Sequence, residues 1–262
     1  MKRFILALST LFLLTSCNFT EEITFNDDGS GEFVMSYDMS EVMKVFEDMG
    51  GGQSKSEEKE KVKMDSIVYF SDLLETKADS IAQLPKEEQE QLKAMKDVVM
   101  KMKMDEAEGI FDFGFGSKFK SLEELPQALE KIDQAKNMNS KGNPQFSQMD
   151  ESAVAQASEN MFEYVDFSYD GKTFSRFLKK DYKQSKEDIE KLDQEISEMG
   201  ESKEMFEKMT YTLVYNFPKP IKSVNNDNAV ISKDGKSVTV KMNFIEMIRK
   251  PETMALDVVL ED

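Results

Sequence analysis

Apolar side chains recur at every second position in several stretches of this chain, and most of these runs break at a turn signal and resume beyond it. Phe19, Ile23 and Phe25 lead into Asn26-Asp27-Asp28-Gly29-Ser30-Gly31, and Phe33, Met35 and Tyr37 alternate with polar residues afterwards. Val98, Met100, Met102 and Met104 reach a turn at Asp105 to Gly109, followed by Phe111, Phe113 and Phe115. Val165, Phe167 and Tyr169 approach Asp170-Gly171, and Phe174 and Phe177 leave it. A period of two puts one side of a strand against a core, and Asp-Gly clusters supply the backbone that a tight reversal needs. Three hairpins are therefore predicted. Tyr211, Leu213, Tyr215 and Phe217 then alternate up to Pro218-Lys219-Pro220, Val238, Val240, Met242 and Phe244 follow Asp234-Gly235, and Met254, Leu256, Val258 and Leu260 form a last strand.

Helical spacing fills the intervals. Val42, Met43, Val45, Phe46 and Met49 follow a capping Asp38 or Ser40 and stop at Gly50-Gly51-Gly52, before a polar linker to Lys61. Asp65 to Lys96 reads as helical, with Ile67, Phe70, Leu73 and Leu74 on one side and Pro85 dividing it. Ser121-Leu122-Glu123-Glu124 resembles a capping box ahead of Leu125, Leu129 and Ile132, and a charged helix is expected from Ser185 to Met209 on Ile189, Leu192, Ile196 and Met199. Hairpins outnumber crossovers, so the expected class is α+β, with antiparallel hairpins and helices packed on one face of the sheet. Residues 136–160, rich in Ser, Gln and Asn around Gly142-Asn143-Pro144, read as a flexible loop or linker between an α+β region at 17–135 and another at 161–262. The two regions either share one sheet or fold apart.

Composition narrows the function. The 262 residues hold 34 Lys and Arg against 51 Asp and Glu, a net charge of −17, with no His and one Cys. An acidic field repels phosphate backbones, so nucleic acid is not an expected partner. Without His, Ser-His-Asp and Cys-His catalysis and His-based zinc sites cannot be built.

Residues 1–16 read as a lipoprotein signal peptide: Lys2 and Arg3, then the apolar run Phe4 to Leu14, too short to span the ~30 Å hydrocarbon core of a bilayer as a helix. Leu14-Thr15-Ser16-Cys17 resembles the bacterial lipobox, and the sole thiol of the chain stands at the position of the lipidated Cys. The resemblance implies cleavage before Cys17 and a thiol carrying fatty-acylated glycerol, which makes the membrane a partner through Cys17. Loss of residues 1–16 leaves 32 basic against 51 acidic residues. Asn18, rather than Asp, after the Cys implies outer-membrane placement, with the periplasmic or surface face unresolved. Glu21 and Glu22 loosely resemble the acidic surface-export signals of some envelope lipoproteins. At the other end, Thr210 to Asp262, with Tyr211-Thr212-Leu213-Val214-Tyr215-Asn216-Phe217-Pro218, vaguely resembles LppM-like envelope lipoproteins; the likeness implies an α+β fold and carries over no site.

The remaining candidate chemistry has structural readings beside it. Met100, Met102 and Met104 align three thioethers that suit Cu(I), and the same alternation predicts core-filling Met with Lys101 and Lys103 in water. Asn26-Asp27-Asp28-Gly29 lacks the Glu that an EF-hand loop needs and reads as a turn. Gly50 to Lys55 lacks the phosphate-loop spacing, and Gly114-Phe115-Gly116 lacks the third glycine of a dinucleotide fingerprint. Asp65-Ser66-Ile67 and Asp79-Ser80-Ile81 resemble an O-glycosylation acceptor and also read as helix caps. The expectation is an envelope lipoprotein that is not an enzyme, needs no cofactor or metal, and acts as a binding or assembly component with an envelope protein partner. The alternatives are a carrier with a Met- and Phe-lined cavity, and a hydrolase using paired carboxylates.

Overall fold

The computed structural model describes residues 18–40, 44, 63–140, 162, 164–183, 185–198, 200 and 203–262. Cys17, the signal peptide, the segment 45–62 and residues 141–161 lie outside the described residues, as do positions 41–43 of the helix expected after Ser40. Twelve strands are described: β1 Asn18–Phe25, β2 Gly31–Asp38, β3 Lys63–Tyr69, β4 Val98–Asp105, β5 Ile110–Phe119, β6 Val165–Tyr169, β7 Thr173–Leu178, β8 Thr210–Asn216, β9 Ile221–Val224, β10 Ala229–Ile231, β11 Ser237–Asn243 and β12 Leu256–Leu260. The helices are α1 Phe70–Thr76, α2 Ala78–Ile81, α3 Lys86–Ala94, α4 Leu125–Ser140, α5 Lys186–Glu198, α6 Lys203–Glu207 and α7 Phe244–Arg249, with 3-10 turns at Leu122–Glu124 and Pro251–Met254.

The fold is α+β, and its strands form two sheets. Eight strands run in the order β10-β11-β8-β1-β2-β5-β4-β3, and four in the order β6-β7-β12-β9. The three expected hairpins are present as β1-β2, β4-β5 and β6-β7, the first turning through Gly29 at φ 82°. All pairings are antiparallel except that of β1 with β8, where Asn18 lies opposite Thr210. The first described strand is thus an interior one, flanked by β2 and β8.

The alternation seen in the sequence fixes which side is inside. Ile23 and Phe25 of β1, Phe33 of β2, Tyr211, Leu213 and Tyr215 of β8 and Val238 and Val240 of β11 are buried on one face of the larger sheet. Against it lie Leu125, Ala128 and Ile132 of α4, Leu192 and Ile196 of α5, and the smaller sheet through Phe174, Leu256, Val258 and Leu260. The covering layer is therefore helices together with a second sheet. Rings fill the seam: Phe25 stands 4.4 Å from Tyr169 and 5.5 Å from Phe174, and Phe174 stands 4.7 Å from Tyr215, centroid to centroid.

Four expectations are corrected. Residues 63–69 are strand β3, paired with β4, and helix begins only at Phe70. Here the unpaired edge of β4 overrides local spacing, as cross-strand context commonly does. The helix expected over 185–209 is α5 and α6 separated at Gly200, whose φ of 57° an L side chain rarely adopts. Phe244 belongs to α7 rather than continuing β11, because Asn243 caps the helix by accepting the Glu246 N–H at 2.9 Å. Residues 136–140 of the segment read as a loop belong to α4, which runs to Ser140, and the rest of it, 141–160, lies outside the described residues.

Candidate functional site

Two positions interrupt the apolar side of the strands with charge, and the fold brings them together. Glu21 lies on β1 between the inward-facing Phe19 and Ile23, and Arg176 lies on β7 between Phe174 and Leu178. Glu21 is 0% exposed and Arg176 1%. The guanidinium donates from Nε to Glu21 Oε1 at 3.2 Å and from Nη2 to Oε2 at 3.0 Å. The Tyr211 hydroxyl donates to Oε2 at 2.9 Å, and the Tyr215 hydroxyl to Oε1 at 2.5 Å. Arg176 Nη1 reaches the Met254 carbonyl at 3.4 Å, and its guanidinium carbon sits 5.6 Å from the Phe167 ring centroid.

This cluster is an electrostatic rivet between the two sheets. Burial works against the guanidinium charge, but the Glu21 carboxylate and its hydrogen bonds outweigh it and hold Arg176 protonated above its ordinary range. Burial, with the Glu21 charge second, pushes the Tyr211 and Tyr215 phenols well above theirs. Both carboxylate oxygens are occupied by donors from Arg176, Tyr211 and Tyr215, and the carboxylate is shut off from solvent.

An acidic pair sits where β1 begins. Asp38 and Asp112 are cross-strand partners on β2 and β5. Asp38 accepts from Asn18 Nδ2 at 3.3 Å and from the Ser40 N–H at 3.1 Å, and Ser40 Oγ accepts the Phe111 N–H at 2.9 Å. Thr210 donates its hydroxyl to the Asn18 side-chain oxygen. Burial first, and then the charge and hydrogen bond of Asp38, raise the Asp112 carboxyl above the usual range, with Lys103 opposing.

The residues singled out by sequence are dispersed. Asp28 accepts both the Ser30 N–H at 3.0 Å and the Ser30 hydroxyl at 2.6 Å, so the acidic turn spends its carboxylate on its own backbone. Met100 packs on the main core, while Met102 and Met104 are half-buried beside Phe113 and Phe111. Gly114 and Gly116 lie within β5, where a Cβ at Gly116 would collide with the Phe33 carbonyl and approach Val34 Cγ2 to 2.7 Å. They serve close strand pairing. Neither Asp-Ser-Ile triplet caps a helix: Ser66 is in β3, and α2 begins before Asp79 with Lys77 at its cap position. Glu21 is in the core, and Glu22 accepts from Asn216 Nδ2 at 2.9 Å and lies 3.5 Å from Lys101 Nζ. An open cleft of about 320 Å³ is lined by Leu122, Glu123, Phe167, Tyr169, Asp170 and Thr173, away from the Met stripe. Among the described residues, no three His, Cys, Asp or Glu side chains gather as a metal-binding group, and no helix is long and apolar enough to cross a membrane.

Sequence reasoning missed the Glu21–Arg176 pair. The available signal was parity, a charged residue in the apolar register of each of two strands.

No protein-family model and no curated protein matches the chain. Among solved structures, the NMR structure of the folded domain of LppM from Mycobacterium tuberculosis aligns over 94% of this chain and 91% of its own, at 10% identity and a TM-score of 0.33. That score is too low to carry an argument about fold or function.

Proposed function

We propose that the protein is a lipid-anchored component of a bacterial cell envelope that works by non-covalent binding or assembly. The observation that carries this reading is the N-terminal sequence: Lys2-Arg3, the apolar run Phe4 to Leu14, and Leu14-Thr15-Ser16-Cys17 holding the one thiol of the chain. The non-catalytic part is supported by the chemistry of the buried cluster, whose carboxylate is saturated by Arg176, Tyr211 and Tyr215. Outer-membrane placement rests on Asn18 alone.

Mass spectrometry of the protein extracted from membranes in mild detergent, beside a Cys17→Ser variant, tests the anchor. The expected mass lacks residues 1–16 and carries diacylglycerol, and the variant leaves the membrane fraction. An unlipidated, freely soluble chain would overturn the reading, and a specific turnover would overturn its non-catalytic part. A co-purifying mass would identify the partner.

A further inference from the structure

The larger sheet has an apolar corner at the end where β1 starts. Cross-strand register puts Met64, Met104 and Phe111 in one row, and Ser66, Met102, Phe113, Tyr37 and Phe19 in the next. The inner part of these rows is packed: Phe19 stacks on Phe244 at 4.6 Å and Tyr37 on Phe113 at 5.1 Å. Met64, Met102, Met104 and Phe111 lie outside the main core, and Met64 is 40% exposed.

We propose that this corner is the surface by which the protein seats itself on its own bilayer. The proposal rests on lipidation of Cys17. It is carried by continuity: β1 begins at Asn18, the residue after Cys17, with its neighbours Asp38 and Thr210 at the same end. Adjacent Cα atoms are about 3.8 Å apart, so a lipid on Cys17 holds this edge at headgroup level without an intervening tether. The eight residues of β1 extend about 26 Å at ~3.3 Å each, which places the Asn26 to Ser30 turn far from the membrane. Half-exposed Met and Phe at the anchored end then meet the boundary between headgroups and acyl chains. Lys63 and Lys103 accompany Asp38, Asp105, Glu106, Glu108 and Asp112 at this end, an acidic excess that favours zwitterionic over anionic lipid.

The test uses the lipidated full-length protein in phosphatidylcholine vesicles. With Cys17 acylated, a thiol introduced by Met104→Cys is the one available for a fluorophore. Ala107→Cys, in the exposed turn beside it, reports the same end without touching the sheet, and Asp28→Cys reports the opposite end. The labels at 104 and 107 should be quenched by nitroxide lipid, with loss of quenching by aqueous iodide, and the label at 28 should show the reverse. Equal iodide quenching at both ends overturns the proposal. So does a label at 104 shielded from iodide and lipid alike, which would mean that protein, from this chain or a second copy, covers the corner. If the reconstituted protein lacks the diacylglycerol mass, the anchor reading itself fails and the seating falls with it.

Discussion

Replacing Glu21 with Leu removes the acceptor of four hydrogen bonds at once. The Arg176 guanidinium is then left in the core without its carboxylate, with the Met254 carbonyl at 3.4 Å, the Tyr215 side chain and the Phe167 ring beside it. Stranding one member of a buried ion pair costs about 3–5 kcal/mol, and each phenol left without an acceptor adds about 1–3 kcal/mol, less whatever relaxation recovers. The loss should therefore be at least about 4 kcal/mol, a large share of the roughly 5–15 kcal/mol that holds a domain folded. Urea unfolding followed by circular dichroism reads it directly: with a slope of about 1–3 kcal/mol per molar, the midpoint should fall by 1 M or more. Arg176→Met alone should cost less, because Tyr211 and Tyr215 still donate to the carboxylate. The decisive variant is the fourfold Glu21→Leu, Arg176→Met, Tyr211→Phe, Tyr215→Phe. It removes every member of the network, and apolar replacement of a buried ion pair is commonly neutral or stabilising by about 1–4 kcal/mol. Its midpoint should return to near wild type. The reasoning is refuted if Glu21→Leu unfolds as the wild type does, or if the fourfold variant is no more stable than the single one.

Three further outcomes follow from the geometry. Tyr211 and Tyr215 keep their protons well above the ordinary value of 10.0, so they contribute stability that is complete below that pH and is lost as pH rises beyond it; absorbance titration should show these two, together with Tyr164, which burial also pushes far up, ionising late among the seven tyrosines, Tyr211 and Tyr215 only with alkaline unfolding. The Asp112 carboxyl is raised above 3.8, so its ionisation weighs against the folded state at neutral pH; Asp112→Asn should raise the melting temperature at pH 7 and leave it nearly unchanged at pH 3. Gly116→Ala should cost about 1–3 kcal/mol by forcing β5 away from β2, measured by the same urea unfolding.

Strands half-buried on the core were legible because burial imposes alternation. Tyr211, Leu213, Tyr215 and Phe217 are all buried, as their period of two requires. β3 was not legible, for the opposite reason. Ile67 is 53% exposed, no residue of the strand is buried, and its conformation comes from hydrogen bonding to β4 rather than from its own side chains. β9 and β10, at four and three residues, are too short to show a period. Alternation also says nothing of partners, so the parallel pairing of β1 with β8 and the division into two sheets left no local trace. Glu21 and Arg176 were visible as charges in apolar register, but their meeting depends on those same non-local contacts.

The position of β1 couples the proposed anchor to this buried pair. β1 runs through the interior of the larger sheet with β2 on one side and β8 on the other, so a pull on Cys17 acts along the strand. Ladder hydrogen bonds lie across that direction, and both ladders would have to yield together rather than open one bond at a time. Glu21, the fourth residue of β1, ties the same strand to β7 through Arg176. Withdrawing β1 far enough to release Glu21 would leave the guanidinium without its carboxylate and two phenols without their acceptor in the core, a state of high free energy. Fraying from the Asn18 end should therefore stop before Glu21, and that position should show amide exchange as slow as global unfolding while Asn18 exchanges faster.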